Sequence, residues 1–257
     1  MRKKVERIAY DMAQRLAACP ETECVTIGPA AEIDVLDPYF SLVLDAFWKG
    51  APPNEETRRK IYANSETLEL DTSAVKDRLI IDDIPVHIDY KSVENTSDFF
   101  RGDESIFRVL QEAGTHRLYR LKNNHVLFDR SGWIGEVRAK LDRIPGPFWE
   151  DIVSAFARKL EHTLSDFGAT VLRQDDYFYT VTLGNFSRFV VSFLFAVNRE
   201  FEPAHRFVSE RILKLPILPE DFAGRWETLL RYETELTPSR KYEIAKLIAK
   251  SCMDLLG

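Results

Sequence analysis

Apolar residues Val5, Ile8, Ala9, Met12 and Leu16 recur at helical spacing, and the stripe stops at Cys19-Pro20, where proline cannot continue a helix. The period then changes. Glu23 to Ile27 reads as a short strand closed by Gly28-Pro29, and after a polar, proline-containing loop the apolar run Ser41 to Trp48 reads as a second strand. Glu55 to Tyr62 has the mixed pattern of a short helix. Leu68 to Leu70, Leu79 to Ile81 and Val86 to Tyr90 alternate or cluster as strands, the last of them in a hairpin-like region. From Asp103 the spacing turns helical, with Ile106, Val109, Leu110 and Ala113 on one stripe, and an extended stretch from His125 to Asp129 precedes Ser131-Gly132. Six further helices, separated by proline or glycine signals, are predicted over 135–144, 148–172, 177–201, 207–215, 221–232 and 241–256.

This order predicts an α+β chain in which a small mixed-sheet domain, residues 1–122, is followed by an all-α helical bundle, residues 123–257, with the change of domain falling between residues 122 and 146. A length of 257 residues suits one large domain or two ordinary ones, and a hydrophobic content of 45% is enough for packed cores rather than disorder. The net charge of -6 makes nucleic acid an unexpected partner. Three cysteines without a CxxC point to neither a disulfide framework nor a structural zinc. The first residues are charged rather than apolar, and the longest apolar stretch, Phe189 to Val197 broken by Ser192, covers only about half a bilayer. A cytoplasmic protein without a membrane partner is expected.

The candidate chemistry lies in the strands. Asp45 sits in the middle of Ser41 to Trp48, and Asp89 in the middle of Ile84-Pro-Val-His-Ile-Asp89-Tyr-Lys91. A carboxylate inside a strand must be hydrated, paired or given a metal, because burying an isolated charge is expensive. With side chains alternating, Val43, Asp45 and Phe47 share one face, and His87, Asp89 and Lys91 share another. If the two strands are neighbours, Asp45, His87 and Asp89 converge on one divalent ion, magnesium or manganese by their oxygens, with His87 favouring a transition metal. The alternative is that arginine, lysine or backbone donors satisfy both carboxylates.

The order helix, strand ending at Gly28, loop, strand with Asp45, helix, strand with Asp89 resembles the polymerase-beta-type nucleotidyltransferase superfamily. The stretches Asp37-Pro-Tyr-Phe-Ser-Leu-Val-Leu-Asp45, Ile84-Pro-Val-His-Ile-Asp-Tyr90 and Phe195-Ala-Val-Asn-Arg-Glu-Phe-Glu-Pro203 are similar to a poorly characterised bacterial group of nucleotidyltransferase-like proteins with a helical second domain. The resemblance implies transfer of a nucleoside monophosphate from a nucleoside triphosphate to an unknown small-molecule or protein acceptor, assisted by Mg2+ or Mn2+. It gives Asp45 and Asp89 the catalytic and metal-binding roles and puts Gly28 at the turn beside the phosphates, while His87 stays the further ligand that the strand pattern offers. Asn198, Arg199 and Arg206, with His205, fall in the part resembling the helical domain and are candidate contacts to phosphate or acceptor, or else a polar corner broken by Pro203.

Two residues depart from the family pattern. Val43 stands where the first Asp of an Asp-x-Asp pair belongs, and Pro29 removes a backbone donor from the turn, with Glu32, Asp34 and Asp37 as substitute acids in the loop. The departures set an active nucleotidyltransferase against a catalytically degenerate nucleotide-binding or partner-binding module of the same fold. A metal-dependent hydrolase using Asp45, His87 and Asp89 ranks behind both. Lys122, Asn123, Asn124, Asp129 and Arg130, near the expected domain junction, are secondary candidates. The aromatics of 177–201 are expected in the core rather than as a base-stacking platform.

Overall fold

Helix α1 (Arg2–Ala17) turns Val5, Ile8, Ala9, Met12, Ala13 and Leu16 to one side, each no more than 4% exposed. That stripe packs on one face of a six-stranded sheet built from β1 (Thr22–Ile27), β2 (Leu42–Trp48), β3 (Thr67–Glu69), β4 (Lys76–Ile81), β5 (Ile84–Ser92) and β6 (His125–Asp129). The computed structural model describes residues 2–28, 40–63, 65, 67–71, 73, 75–101, 110–233 and 235–257.

The strand order is β3-β4-β5-β2-β1-β6. β2 and β5 run parallel, and the other neighbouring pairs run antiparallel. A parallel pair needs a long connection, which here contains α2 (Glu55–Ile61), β3 and β4. β4 returns into β5 through Asp82 and Asp83, both with positive φ, 50° and 61°, as a two-residue turn matched to strand twist requires. The expected sequence of a helix, a strand ending at Gly28, a strand with Asp45, a helix and a strand with Asp89 is therefore realised, and the sheet is mixed.

The chain divides by packing into two units, one formed by Met1–Phe107 with Leu118–Arg143 and the other by Arg108–Arg117 with Ile144–Gly257. The first also holds α3 (Val93–Asp98), most of α4 (His116–Asn123) and α5 (Trp133–Asp142). The helical stripe expected from Asp103 is present at 110–113, while Ile106 and Val109 lie outside the described residues.

The second unit contains α6 (Gly146–Arg173), α7 (Asp176–Val197), α8 (His205–Arg211), α9 (Phe222–Leu230) and α10 (Pro238–Met253). The turn between α6 and α7 uses Gln174 at φ 56° and Asp175, whose side chain accepts from the Phe178 amide and so starts α7. Phe167, Phe186, Phe193 and Phe195 are at most 1% exposed, and the Phe167 ring meets those of Phe186 and Tyr242 at 6.1 and 5.7 Å. The expectation of an aromatic core is met, although Tyr177 at the start of α7 is exposed. By length and composition α7 is apolar enough to cross a membrane, but 44% of its apolar window is already buried within the protein. It ends at Val197, four residues earlier than its pattern predicts, because Arg199 takes a left-handed conformation at φ 55°.

On the α1 side of the sheet, Asp77 is fully buried and bonded to Arg58, which is itself 3% exposed. Arg58 Nη1 donates to Asp77 Oδ1 at 2.5 Å and to the Asp71 carbonyl at 3.0 Å, while the Tyr62 hydroxyl donates to Asp77 Oδ2 at 3.1 Å and meets the Tyr90 hydroxyl. This network ties α2 to β4 and β5. Arg58→Met leaves the Asp77 charge buried without its partner, and a loss of about 3–5 kcal/mol is expected in urea unfolding. Arg58→Met combined with Asp77→Leu is expected to recover most of that loss, since an apolar pair carries no desolvation penalty.

Candidate functional site

In register across the sheet, Thr26 of β1 lies opposite Asp45 of β2, Asp45 beside Asp89 of β5, and Asp89 opposite Lys76 of β4. Opposed residues share a face, so this row crosses the side of the sheet away from α1. The flanking rows on the same face are Cys24, Phe47 and Lys91 in one direction, and Val43, His87 and Arg78 in the other. The two strand carboxylates are thus direct neighbours, as their mid-strand positions predict.

What holds them is a residue that the sequence reading does not single out. Arg120 of α4 donates from Nε to Asp45 Oδ2 at 2.9 Å, from Nη2 to Asp45 Oδ1 at 2.5 Å, and from Nη1 to Asp89 Oδ2 at 3.2 Å. A planar guanidinium suits this bidentate grip, which is stronger than a bond between neutral groups. Asn124, one residue beyond α4, adds a bond from Nδ2 to Asp45 Oδ2 at 3.0 Å and lies 3.4 Å from the Thr26 hydroxyl. Lys91 Nζ stands 2.7 Å from Asp45 Oδ1, and Lys76 Nζ 3.4 Å from Asp89 Oδ1.

Local sequence explains these positions. α4 turns Leu118, Tyr119 and Leu121 inward, so Arg120 remains on the flank. Arg138 of α5 donates to the carbonyls of Leu121 and Asn124, satisfying the open C-terminal end of α4 and fixing Asn124. α5 is seated by Trp133, whose ring lies 5.0 Å from Phe47, and Phe47 in turn lies under the Lys91 ammonium at 5.9 Å.

The electrostatics are dominated by cations. Asp45 and Asp89 face Arg120, Lys91 and Lys76, and Arg78 stands opposite His87. Burial pushes the Lys91 pKa down even though its side chain remains 27% exposed. Burial, reinforced by Lys76 and Arg78, pushes His87 down and keeps its imidazole neutral near pH 7.

The divalent ion implied by the resemblance does not fit this donor set. Both oxygens of Asp45 already accept bonds from Arg120, Asn124 and Lys91, which leaves as candidate ligands His87 and Asp89 Oδ1, itself ion-paired with Lys76. Among the described residues, no group of three or more His, Cys, Asp or Glu side chains comes together to hold a metal. Three cations around two carboxylates also leave the row with excess positive charge, which repels a further cation. Glu32, Asp34, Asp37 and Pro29 lie outside the described residues.

Gly28 follows β1 at the Asn124 end of the row, where an added Cβ would lie 3.8 Å from Asn124 Oδ1. The remaining candidates belong to the helical unit. Asn198 caps α7, donating from Nδ2 to the carbonyls of Leu194 and Ile217 and accepting from the Ile217 amide, each at 2.8 Å. Its side chain is a tie between two segments. Arg199 and Arg206 are exposed, Arg199 in the left-handed turn and Arg206 on α8. In the same motif, Glu202 is buried, accepts from the Thr115 amide at 3.0 Å, and donates its own amide to the Thr115 hydroxyl at 2.9 Å. Gly114 has φ 78°, and a Cβ there would collide with the Glu202 carboxylate, so glycine is required on both counts.

Of the secondary candidates, Asn124 reaches the carboxylates. Arg130 instead binds the carbonyls of Ala17, Cys19 and Thr22 at the end of α1, Asn123 bonds back to Tyr119, Lys122 pairs with Asp142, and Asp129 accepts from the Gly132 amide.

Residues 111–208 match the model of a family described as a domain of unknown function, DUF4037. No curated protein matches the chain. Among solved structures, a nucleotidyltransferase-like protein from Exiguobacterium sibiricum 255-15 aligns with 98% of this chain and 73% of its own, at 14% identity and a TM-score of 0.47.

Two outcomes are expected of stability measurements on the full chain. Asp45→Asn, which removes the fully buried charge opposite Arg120 and Lys91, is expected to cost about 3–5 kcal/mol in urea unfolding, whereas Asp89→Asn, at a more exposed position, is expected to cost about 1 kcal/mol. Burial raises the Glu202 pKa, so its contribution is fully present below the unfolded value of about 4.3 and is lost as pH rises through the folded value. Glu202→Gln is therefore expected to match wild type near pH 4 and to exceed it in thermal midpoint by a growing margin toward about pH 8.

Proposed function

We propose that the sheet-bearing unit is a nucleotidyltransferase-like domain that binds the phosphates of a nucleoside triphosphate and lacks metal-dependent transfer activity. The observation that carries this reading is the row Asp45, Asp89 and Lys76, with Val43 beside Asp45 and the Arg120 guanidinium bridging both carboxylates. The carboxylates occupy the positions that the resemblance gives to metal ligands, on adjacent strands of a mixed sheet reached by the same order of elements. The chemistry around them has changed sign. Lys76, Lys91 and Arg120 keep 35%, 27% and 21% of their side chains accessible, and accessible cations with spare N–H groups favour an anionic ligand.

In this reading Gly28 and Asn124 border the triphosphate, and the carboxylates serve to hold the cations in place rather than to ligate metal. A second reading, an active enzyme transferring a nucleoside monophosphate to an unknown acceptor, draws on the acids Glu32, Asp34 and Asp37 to complete a metal site.

A nucleoside triphosphate is expected to raise the thermal midpoint of the full chain by mass action, and Lys76→Ala combined with Lys91→Ala to reduce that shift. No pyrophosphate release is expected with magnesium or manganese across a panel of acceptors. Pyrophosphate release by wild type that Asp45→Asn abolishes would favour the active enzyme, and the absence of any nucleotide-induced shift would remove nucleotide binding.

A further inference from the structure

The sheet carries a buried carboxylate with an arginine on each face, and the two pairs differ in what they leave to solvent. Arg58 and Asp77 are 4% and 0% exposed and bond to neighbouring protein groups. Arg120 is 21% exposed, and Lys91 and Lys76 beside it are 27% and 35% exposed. Arg120 uses three of its five N–H groups on Asp45 and Asp89, one from each nitrogen, which leaves one N–H on Nη1 and one on Nη2. Those two donors lie on a partly exposed guanidinium, a group that recognises phosphate as well as carboxylate.

We infer that the Arg120 guanidinium is a built-in substitute for the divalent cation between Asp45 and Asp89, so that the site takes a polyphosphate in metal-free form; the inference rests on the reading of the site given above. A divalent ion bridging two carboxylates neutralises them and presents positive charge outward. Arg120 makes the same bridge, through bonds to Asp45 at 2.5 and 2.9 Å and to Asp89 at 3.2 Å, and together with Lys91 and Lys76 it sets three positive charges against the two carboxylates. Lys91 on Asp45 and Lys76 near Asp89 supply additional positive charge at either end of the bridge. Val43, in register with His87, adds no anionic ligand that would favour a metal over the guanidinium. Arg120 is thereby the residue that sets the metal requirement of the site.

The test has two arms on the full chain. In the first, Mn2+ alone is titrated into wild type, Asp89→Asn, Arg120→Ala and Arg120→Ala combined with Asp89→Asn, with bound ion followed by electron paramagnetic resonance. Wild type is expected to show no Mn2+ binding that depends on Asp89, and Arg120→Ala to gain a saturable site that Asp89→Asn removes. Asp89-dependent Mn2+ binding by wild type, or its absence in an Arg120→Ala protein whose circular dichroism and cooperative unfolding are intact, overturns the inference. If Arg120→Ala does not fold, Arg120→Gln, which retains a donor for Asp45 without the charge, takes its place under the same criteria.

In the second arm, calorimetry measures inorganic tripolyphosphate and a nucleoside triphosphate in EDTA and in Mg2+. Affinity is expected to agree within about threefold between the two conditions and to fall by at least about tenfold in EDTA when Arg120 is replaced. A gain of about tenfold on adding Mg2+ overturns the metal-free claim. Tripolyphosphate binding as well as the nucleotide assigns the site to phosphate alone, and tighter nucleotide binding assigns a contribution to the base or ribose; both support the inference. Failure of both ligands in both conditions overturns the nucleotide reading and the polyphosphate claim together, while the Mn2+ arm still decides whether Arg120 stands in for the metal.

Discussion

The Asp45 charge, placed inside a strand with no exposure to water, constrains much of the sheet-bearing unit. A carboxylate there persists as an anion only with bonded counter-charge, and the counter-charge must come from a rigid element rather than a loose side chain. Arg120 meets that need from a helix, and the helix is held through Arg138, which binds the carbonyls at its end. Asn124 then leads directly into β6, so the segment that neutralises Asp45 also completes the sheet. Trp133 against Phe47 seats the helix that carries Arg138. One buried charge is therefore connected to two helices and an edge strand.

The two faces of the sheet apply the same pairing to different ends. The Arg58–Asp77 pair is surrounded by Tyr62, Tyr90 and the Asp71 backbone, and its geometry closes on itself. The Asp45–Asp89 row stays open along one side, with an unmatched positive charge and a neutral His87 at its edge. Replacing a sealed pair by apolar residues costs the sheet little in principle, whereas the open row retains polar groups whose desolvation is incomplete. That asymmetry separates a network sealed within the protein from one that keeps its cations accessible to solvent.

Much of this was legible in the chain. A period of two places Asp45, Asp89, His87 and Lys91 on strand faces, and the order of elements brings the two carboxylates side by side. The extended stretch 125–129 is also readable as a strand. Its partner is not, because β6 pairs with β1 across roughly a hundred residues and neither strand records the other in its local pattern. Arg120 escapes for the same reason, since it lies 75 residues from Asp45 and 31 from Asp89, and ionic partners leave no periodic trace. The available signal was the basic run His116-Arg-Leu-Tyr-Arg-Leu-Lys in an acidic chain, just before Asn124. In the motif 195–203, the sequence left a contact to a ligand and a polar corner equally open, and the bonds show Asn198 tying two segments together and Glu202 holding Thr115.

The late arrival of β6 has a consequence for how the protein is made. β1 is made before β2 and long before β6, and β2 can cover one of its edges as soon as residue 48 is available. The other edge waits for residues 125–129, with its N–H and C=O groups unmatched through the synthesis of most of the sheet. An open edge of buried-type residues such as Cys24, Val25 and Ile27 is a template for pairing with another nascent chain. The strand that covers the second edge of β1 thus also ends the exposure of that edge to such pairing.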